Sequence, residues 1–374
     1  MSRFLFTSWP LYGHVLPKLA MAAALRGRGH EVAFYTGSQA RPLIEPDGFE
    51  VFPFKRVDEW AIAAAVGELE VRAGMGRPSI ADVRRCFDRC LLEPIPGQVA
   101  DVAEIARDWK PDAIACDVPV WGPMVILAET MPVPVALASG FLGPAASGPD
   151  APPPGLGLPS PSGAARRALA WGAGRATDLA ARRIRERVDA QRAAHGLGPM
   201  GGSVNAHLGR LPLTLIPSVR ELDYDRRRVP PGVHYVGPCP WQPPDRPETA
   251  AWEDAIPDDR PWVHVAASTM SGSDAGLLRA AVQGLASGSL EVVATAGGEV
   301  PADLRREALP ANVHLAPWVD HARVLQRCAA VVTPGGAGTI VAALAAGVPL
   351  VVVPTTWDKP DNAQRVVEAG VGVR

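Results

Sequence analysis

Residues 331–374 read VVTPGGAGTIVAALAAGVPLVVVPTTWDKPDNAQRVVEAGVGVR, and their order of elements decides the architecture. The apolar pair Val331-Val332 ends a strand, Gly335, Gly336 and Gly338 form a turn, and Thr339 opens an alanine-rich helix that stops at Gly347. A second buried strand, Leu350–Val353, then leads into a loop carrying Asp358, Asp361 and Asn362. A glycine turn at a helix start presents free backbone N–H groups and the positive end of the helix dipole, a seat for phosphate. Taken alone, the same turn serves tight strand-to-helix packing equally well. The polar loop lies at the carboxyl end of the next strand, where open α/β sheets bind ligands.

Working outward, the same alternation opens the chain. Arg3–Thr7 reads as a buried strand, followed by a Gly13-His14 turn, a helix that begins near Pro17 and ends just before Gly29, and a second strand at Glu31–Thr36. A further unit runs from a helix at Gln98–Trp109 through a strand at Ala113–Cys116 and a helix from Trp121 to Thr130 to a strand at Val133–Ala138. Between these units, residues 55–97 read as a helical insertion at the rim of the sheet, broken by Gly74, Gly76 and Pro78. Ser139–Gly163 reads as a loop, a long amphipathic helix reaches Arg192, and Leu213–Ile216 is expected to be the last strand of this half. Six prolines among few apolar residues mark His234–Asp259 as a linker. Beyond it, strands are expected at Trp262–Ala266, Glu291–Thr295, Val313–Ala316, Val331-Val332 and Leu350–Val353. Strands alternating with helices imply parallel sheets covered on both faces. The pattern therefore predicts an α/β chain of two Rossmann-like domains with a cleft between them, residues 1–220 and 260–374, joined by the linker 234–259.

Composition excludes several function classes. The 374 residues, 47% of them hydrophobic with mean hydropathy +0.06, supply two ordinary cores. The 37 basic and 39 acidic side chains are spread along the chain for a net charge of −2, which leaves no electrostatic footprint for nucleic acid. Arginine clusters at 182–187 and 226–228 read as solvated faces. Five cysteines without CxxC spacing argue against zinc and against a disulfide framework, and Cys86 and Cys90 read as buried thiols on one helix. The N-terminus lacks a charged region and a cleavage site, and no apolar run approaches the roughly 18 residues of a membrane helix, so the cytoplasm is the expected compartment.

The C-terminal motifs together resemble the nucleotide-sugar-dependent glycosyltransferases of the GT-B fold, family 1, which include bacterial enzymes that decorate polyketides and other natural products. Gly335-Gly336-Ala337-Gly338-Thr339, Gly347-Val348-Pro349, Pro354, Asp358, Asn362-Ala363, Arg365-Val366 and Gly370-Val371-Gly372 occur in the family's order. The resemblance covers essentially the whole chain and implies the GT-B arrangement of the two domains. Family members normally continue past the position of Arg374 with a last pair of helices, one of which returns to brace the first domain, so the chain is expected to be a fragment, with an absent brace as the alternative. Two positions depart from the pattern: Pro334 replaces the histidine that gives the donor phosphates a hydrogen bond, and Lys359 replaces the glutamine that pairs with the loop aspartate on sugar hydroxyls. Proline offers no donor, and the absence of one such bond costs about 1 to 3 kcal/mol. The ammonium of Lys359 can substitute in part.

On this resemblance His14, in GHVLP, is the candidate general base, since an imidazole titrates near neutrality and can take the proton of an acceptor hydroxyl. Asp117, just after the strand Ala113–Cys116, is its candidate orienting partner, with helix capping as the alternative role. Trp318 stands where the family stacks the nucleobase, and the backbone of Val319 is placed to read the base edge; a core tryptophan is the competing account. His321 is a candidate to supply the phosphate hydrogen bond that Pro334 cannot make. Ser268 and Thr269 occupy the hydroxyl-bearing turn near the distal phosphate, or a helix cap. Gly335, Gly336, Gly338 and Thr339 would hold the diphosphate, and Asp358 and Lys359 the sugar. Trp9, Trp60, Trp121, Met124, Phe141 and Leu142 are candidates for the apolar wall of an acceptor pocket, each with a core role as the alternative. Asp223-Tyr224-Asp225 has the DxD form of metal-dependent glycosyltransferases of another fold, but its place after the last strand of the first half predicts a surface turn.

The expectation is an inverting, metal-free glycosyltransferase with no cofactor beyond its co-substrate, a UDP- or TDP-sugar, acting on a hydroxylated, largely apolar natural-product aglycone. Its partners would be these small molecules, with no nucleic acid and no membrane span, and a homodimer or an auxiliary protein as the further expectation. A different class remains open: a homologue deficient in donor binding that stabilises a true transferase, motivated by Pro334, Lys359 and Asp320-His321. A nucleotide-sugar epimerase of the same double-domain fold is a third.

Overall fold

A computed structural model of the chain describes residues 1–75, 79–144, 150–226, 229–241, 256–257, 259–267, 275–286, 289–306 and 309–374. Two compact units emerge, one of Met1–Val66 with Ser79–Trp241, the other of Gly67–Pro78 with Gln242–Arg374.

The first unit is a seven-stranded parallel sheet. Its strands are β1 (Arg3–Thr7), β2 (Glu31–Thr36), β3 (Glu50–Pro53), β4 (Ala113–Cys116), β5 (Val135–Ala138), β6 (Thr214–Ile216) and β7 (Val233–Tyr235). They lie in the order β3-β2-β1-β4-β5-β6-β7. Phe4 pairs with Val32 on one side and Ala113 on the other, so β1 lies between β2 and β4, and the strand order runs outward in both directions from this pair of neighbours. Such a reversal of strand order opens a crevice at the carboxyl ends of β1 and β4. Leu5, Ala33, Tyr35, Ile114 and Leu137 pack with Ile95, Val99 and Val102 on one face of the sheet, and Phe6, Phe34, Val15 and Leu19 form the core on the other. Among the helices of this unit, α1 (Tyr12–Arg26) follows β1, α2 (Glu59–Met75) enters the second unit at its C-terminal end, and α3 (Ile95–Trp109) precedes β4.

The second unit repeats the plan. β8 (Trp262–Ala266), β9 (Glu291–Thr295), β10 (Val313–Ala316), β11 (Cys328–Thr333), β12 (Leu350–Val352) and β13 (Gly372–Val373) form a parallel sheet in the order β10-β9-β8-β11-β12-β13. β8 and β9 are buried at every position, as strands covered on both faces must be. The reversal here falls between β8 and β11, and the glycine turn follows β11.

Several expectations change. The helix after β1 starts at Tyr12, because the Leu11 carbonyl already accepts from the N–H groups of His14 and Val15, so Pro17 lies inside the helix and not at its first position. β6 is not the last strand of the first sheet. β7 pairs beside it, Leu215 with His234 and Ile216 with Tyr235, which removes these two residues from the stretch read as linker. The long helix ending near Arg192 is two helices, Gly163–Ala180 and Arg182–Ala194, with Ala181 between them. The insertion at 55–97 is divided between the units, since residues 67–75 belong to the second. Asp223-Tyr224-Asp225 lies at the surface only in part, since Asp225 is exposed while Tyr224 is buried. The Asp223 side chain is buried and accepts from Arg226 Nε at 2.7 Å and from the Tyr235 hydroxyl at 2.6 Å, which also takes Arg226 out of the solvated cluster. None of the five cysteines forms a disulfide, and Cys86, Cys90 and Cys116 are buried. No helix among the described residues is long and apolar enough to cross a membrane.

Candidate active site

In the first unit, β1 and β4 deliver their residues to the crevice between them. His14 sits in the first turn of α1, and Asp117 follows the last residue of β4. The sheet order joins two residues 103 positions apart: His14 Nδ1 lies 2.9 Å from Asp117 Oδ2 and 3.1 Å from Oδ1. A carboxylate can only accept, so Nδ1 carries the proton and Nε2 keeps its lone pair. This is the tautomer a general base needs.

The carboxylate itself is fully buried and held from every side. Its Oδ2 accepts from the backbone N–H of Trp9 at 2.9 Å, and its Oδ1 from the N–H of Val118 at 3.0 Å and the Lys18 ammonium at 2.8 Å. Burial alone would raise the Asp117 carboxyl. The charges and hydrogen bonds of His14 and Lys18 outweigh it and hold the group down at about 2. The backbone N–H of Asp117 also donates to the Thr7 hydroxyl at 3.2 Å, which ties the end of β4 to the end of β1. Lys18 carries no mark in the sequence that distinguishes it. A lysine on a solvated helix reads the same until the helix is packed.

Of the candidate acceptor-wall residues, Trp9 meets the His14 ring edge-on with centroids 5.6 Å apart, and its indole N–H is buried without a partner among the described residues. Gly140 lies beside His14, a Cβ there falling 3.7 Å from Nδ1, which brings the segment holding Phe141 and Leu142 to the same neighbourhood. Trp121 and Met124 are members of the hydrophobic core, with Phe141 packed against it, and Leu142 is fully buried. Trp60 is 66% exposed on α2.

In the second unit the glycine turn caps α4 (Ala337–Ala345), with Gly336 as the N-cap and no side-chain cap hydrogen bond to the first turn among the described residues. Gly338 and Thr339 therefore lie inside the helix start. Gly335 has φ +100°, and its carbonyl accepts from Asn362 Nδ2 at 2.9 Å. Asp361 and Asn362 are not in a loop but in the first turn of α5 (Lys359–Glu368), for which Asp358 is the N-cap. Asn362 Nδ2 also reaches Asp358 Oδ2 at 2.8 Å, so one amide ties the glycine turn to Asp358. Lys359 is buried and donates to the Thr355 hydroxyl at 2.9 Å. A Cβ at position 335 would meet Val352 Cγ1 at 3.0 Å and the Lys359 carbonyl at 3.2 Å. Gly335→Ala is accordingly expected to lose about 1 to 3 kcal/mol in urea unfolding, while Gly336→Ala, whose Cβ enters open space at φ −61°, stays near wild type.

Glu70 is a second residue to which nothing in the sequence points. Its Oε1 accepts from the Thr356 hydroxyl and from Trp357 Nε1, both at 2.9 Å, which pins the loop before Asp358, where Trp357 adopts φ +62°. Trp318 and Val319, after β10, are half-buried. His321 turns Nε2 toward His264 Nε2 at 3.3 Å, while His264 Nδ1 is 2.9 Å from the Val293 carbonyl. A carbonyl accepts only, so His264 donates from Nδ1 and receives at Nε2 from His321. Burial, reinforced by the neighbouring His321, holds His264 down at about 3, so the pair stays neutral and the His321 Nε2 proton is committed inward. Pro334 is buried. Ser268 and Thr269 lie outside the described residues. Among the described residues no group of three His, Cys, Asp or Glu side chains is placed to hold a metal ion.

Residues 281–374 match the family described as "Erythromycin biosynthesis protein CIII-like, C-terminal domain". Across 375 aligned residues, covering all of this chain and 87% of the relative, it is 32% identical to 4'-demethylrebeccamycin synthase of Lentzea aerocolonigenes. The fold is shared with the glycotransferase of kitacinnamycin, at TM-score 0.73 and 21% identity over the whole chain and 86% of that one. It is shared as well with a Streptomyces sp. SF2575 glycosyltransferase solved with thymidine diphosphate, at TM-score 0.64 and 20% identity over the whole chain and 87% of that one. A relative at this identity over all of the chain, together with two Rossmann-like units of the GT-B type, places the chain in the family of natural-product glycosyltransferases.

Proposed function

We propose that this glycosyltransferase moves a sugar from a UDP- or TDP-sugar to a hydroxyl of a largely apolar aglycone, in the cytoplasm, with inversion at the anomeric carbon. The first unit takes the acceptor and the second the donor. The observation that carries this reading is the His14-Asp117 pair, whose tautomer leaves Nε2 free to accept the hydroxyl proton as the acceptor oxygen attacks. A single base of this kind suits a one-step displacement, and one displacement inverts. The diphosphate leaving group would gather its charge at the uncapped N-terminus of α4, where backbone N–H groups and the helix dipole stabilise it without a metal. Asp358 and Lys359 would meet sugar hydroxyls, and Trp318 would stack on the pyrimidine.

Calorimetric titration with UDP, TDP and GDP tests the donor half. Trp318→Ala should weaken pyrimidine-diphosphate binding by about 1 to 3 kcal/mol, the usual value of one aromatic stack on a base. Pro334→His should tighten it by restoring a donor to phosphate. Binding that appears only in Pro334→His would instead favour a partner protein that no longer holds a donor. Chelator in the transfer assay should leave the rate unchanged, and NMR of the product should show the inverted anomer.

A further inference from the structure

The crevice of the first unit holds a group that a histidine-carboxylate pair does not require. Lys18, one helical turn beyond His14 on α1, is fully buried, and its ammonium donates to Asp117 Oδ1 at 2.8 Å and to the His14 backbone carbonyl at 2.9 Å. A buried ammonium is costly to place and is retained only with a partner. Hydrogen bonding does not explain it, because Asp117 already accepts from Trp9 N–H, Val118 N–H and His14 Nδ1. What Lys18 adds is charge. We propose that Lys18 is a positioning residue that neutralises Asp117, so that the His14 imidazole is oriented by a carboxylate without facing its full negative charge.

This inference rests on the reading of His14 as the base, and it has a chemical logic. A lone buried carboxylate favours the imidazolium and would keep His14 protonated, hence useless as a base, up to higher pH. With the ammonium on the opposite side of the same carboxylate, the pair is neutral overall, while the Nδ1 hydrogen bond still selects the tautomer. Lys18 also grips the first turn of α1 through the His14 carbonyl, so one side chain sets both the charge and the place of the base. Among the described residues the titratable groups facing this cluster are Asp117, His14 and Cys116. The Cys116 thiol, pushed up to about 12 by burial, carries no charge near neutrality. The balance is therefore among one acid, one ammonium and one imidazole.

The test is the titration of the His14 imidazole by two-dimensional NMR, with its signal assigned by its loss in His14→Gln. Lys18→Met keeps the apolar stem and removes the charge, and it should move the imidazole titration upward by about one unit or more. Lys18→Arg keeps the charge and should stay within a few tenths of wild type. The acid limb of kcat/KM should follow the imidazole, giving about a tenfold loss below the limb in Lys18→Met and little change above it. If Lys18→Met does not fold, Lys18→Gln, which retains a donor without charge, should show the same upward shift. A folded, uncharged variant with an unmoved imidazole overturns the proposal and leaves Lys18 a structural residue. A shifted imidazole in a protein that transfers no sugar would sink the functional reading and leave this one standing.

Discussion

Replacing His14 with alanine is expected to lower kcat by about 10²- to 10⁴-fold, the range that a well-placed general base contributes. Alanine removes the imidazole that the proposed mechanism uses as base, and it leaves Asp117 with three other donors, so the fold should survive. Nucleoside diphosphate binding should be unaffected, because the glycine turn, Asp358 and Trp318 belong to the second unit. Steady-state kinetics alongside calorimetry with TDP would check both halves of the statement. A loss of less than about tenfold in kcat would mean that the acceptor hydroxyl is activated by another group. Asp117→Asn should be intermediate, since an amide can present its oxygen to Nδ1 but offers no charge to stabilise the imidazolium.

The largest effect on stability is expected at Asp117. Asp117→Ala strands the Lys18 ammonium in the core without its counter-ion, and breaking a buried pair in this way costs about 3 to 5 kcal/mol. Chemical unfolding at neutral pH would measure it. The sign of the pH dependence follows from the direction of the shift. The folded carboxyl titrates at about 2 against an ordinary 3.8, because the His14 and Lys18 charges overcome its burial. A depressed carboxyl stabilises the fold above its unfolded value, and the contribution disappears as pH falls through the folded value. The shift corresponds to about 2 kcal/mol. Wild type should therefore lose this increment between about pH 4 and pH 2, and the gap between wild type and Asp117→Ala should narrow over the same interval. A gap that stays constant down to about pH 2 would show that Asp117 is not ionised in the native protein. The double variant Lys18→Met with Asp117→Asn should recover part of the stability, since removing both charges leaves none unpaired.

The two departures in the donor motif take on a physical meaning in the folded protein. Lys359, in place of a glutamine, is buried and bonded to Thr355, so its ammonium is held by the loop that precedes the helix carrying Asp361 and Asn362. His321, a candidate for the phosphate hydrogen bond that Pro334 cannot make, commits its Nε2 proton to His264. The backbone N–H groups of the first turn of α4 thus become the main phosphate donors of the proposed site, which is why restoring a histidine at 334 is expected to tighten binding.

What the chain's sequence determined by itself was everything encoded within a few neighbouring residues. The alternation of apolar runs and glycine-punctuated helices specified two parallel sheets, because a strand covered on both faces has to be apolar throughout. Gly335 could be read as a turn residue because glycine tolerates the positive φ, here +100°, that such a turn uses, and His14 and Asp117 could be singled out because GHVLP and an aspartate just after the strand Ala113–Cys116 match the family's pattern. Local readings failed where hydrogen bonding between distant segments set the boundary: β7 exists because the chain beyond Pro230 pairs with β6, and the Asp223 side chain is buried because Tyr235 and Arg226 close over it. Tertiary structure alone decided who meets whom. Lys18 lies 99 positions from Asp117 and Glu70 lies 286 from Thr356, and no periodicity along the chain carries that information. The order of strands in the sheet brings β1 beside β4, and with it the lysine beside the acid. A burial pattern records that a helix has an inner face, but which charged side chain can occupy that face depends on the counter-charge that the opposite strand supplies.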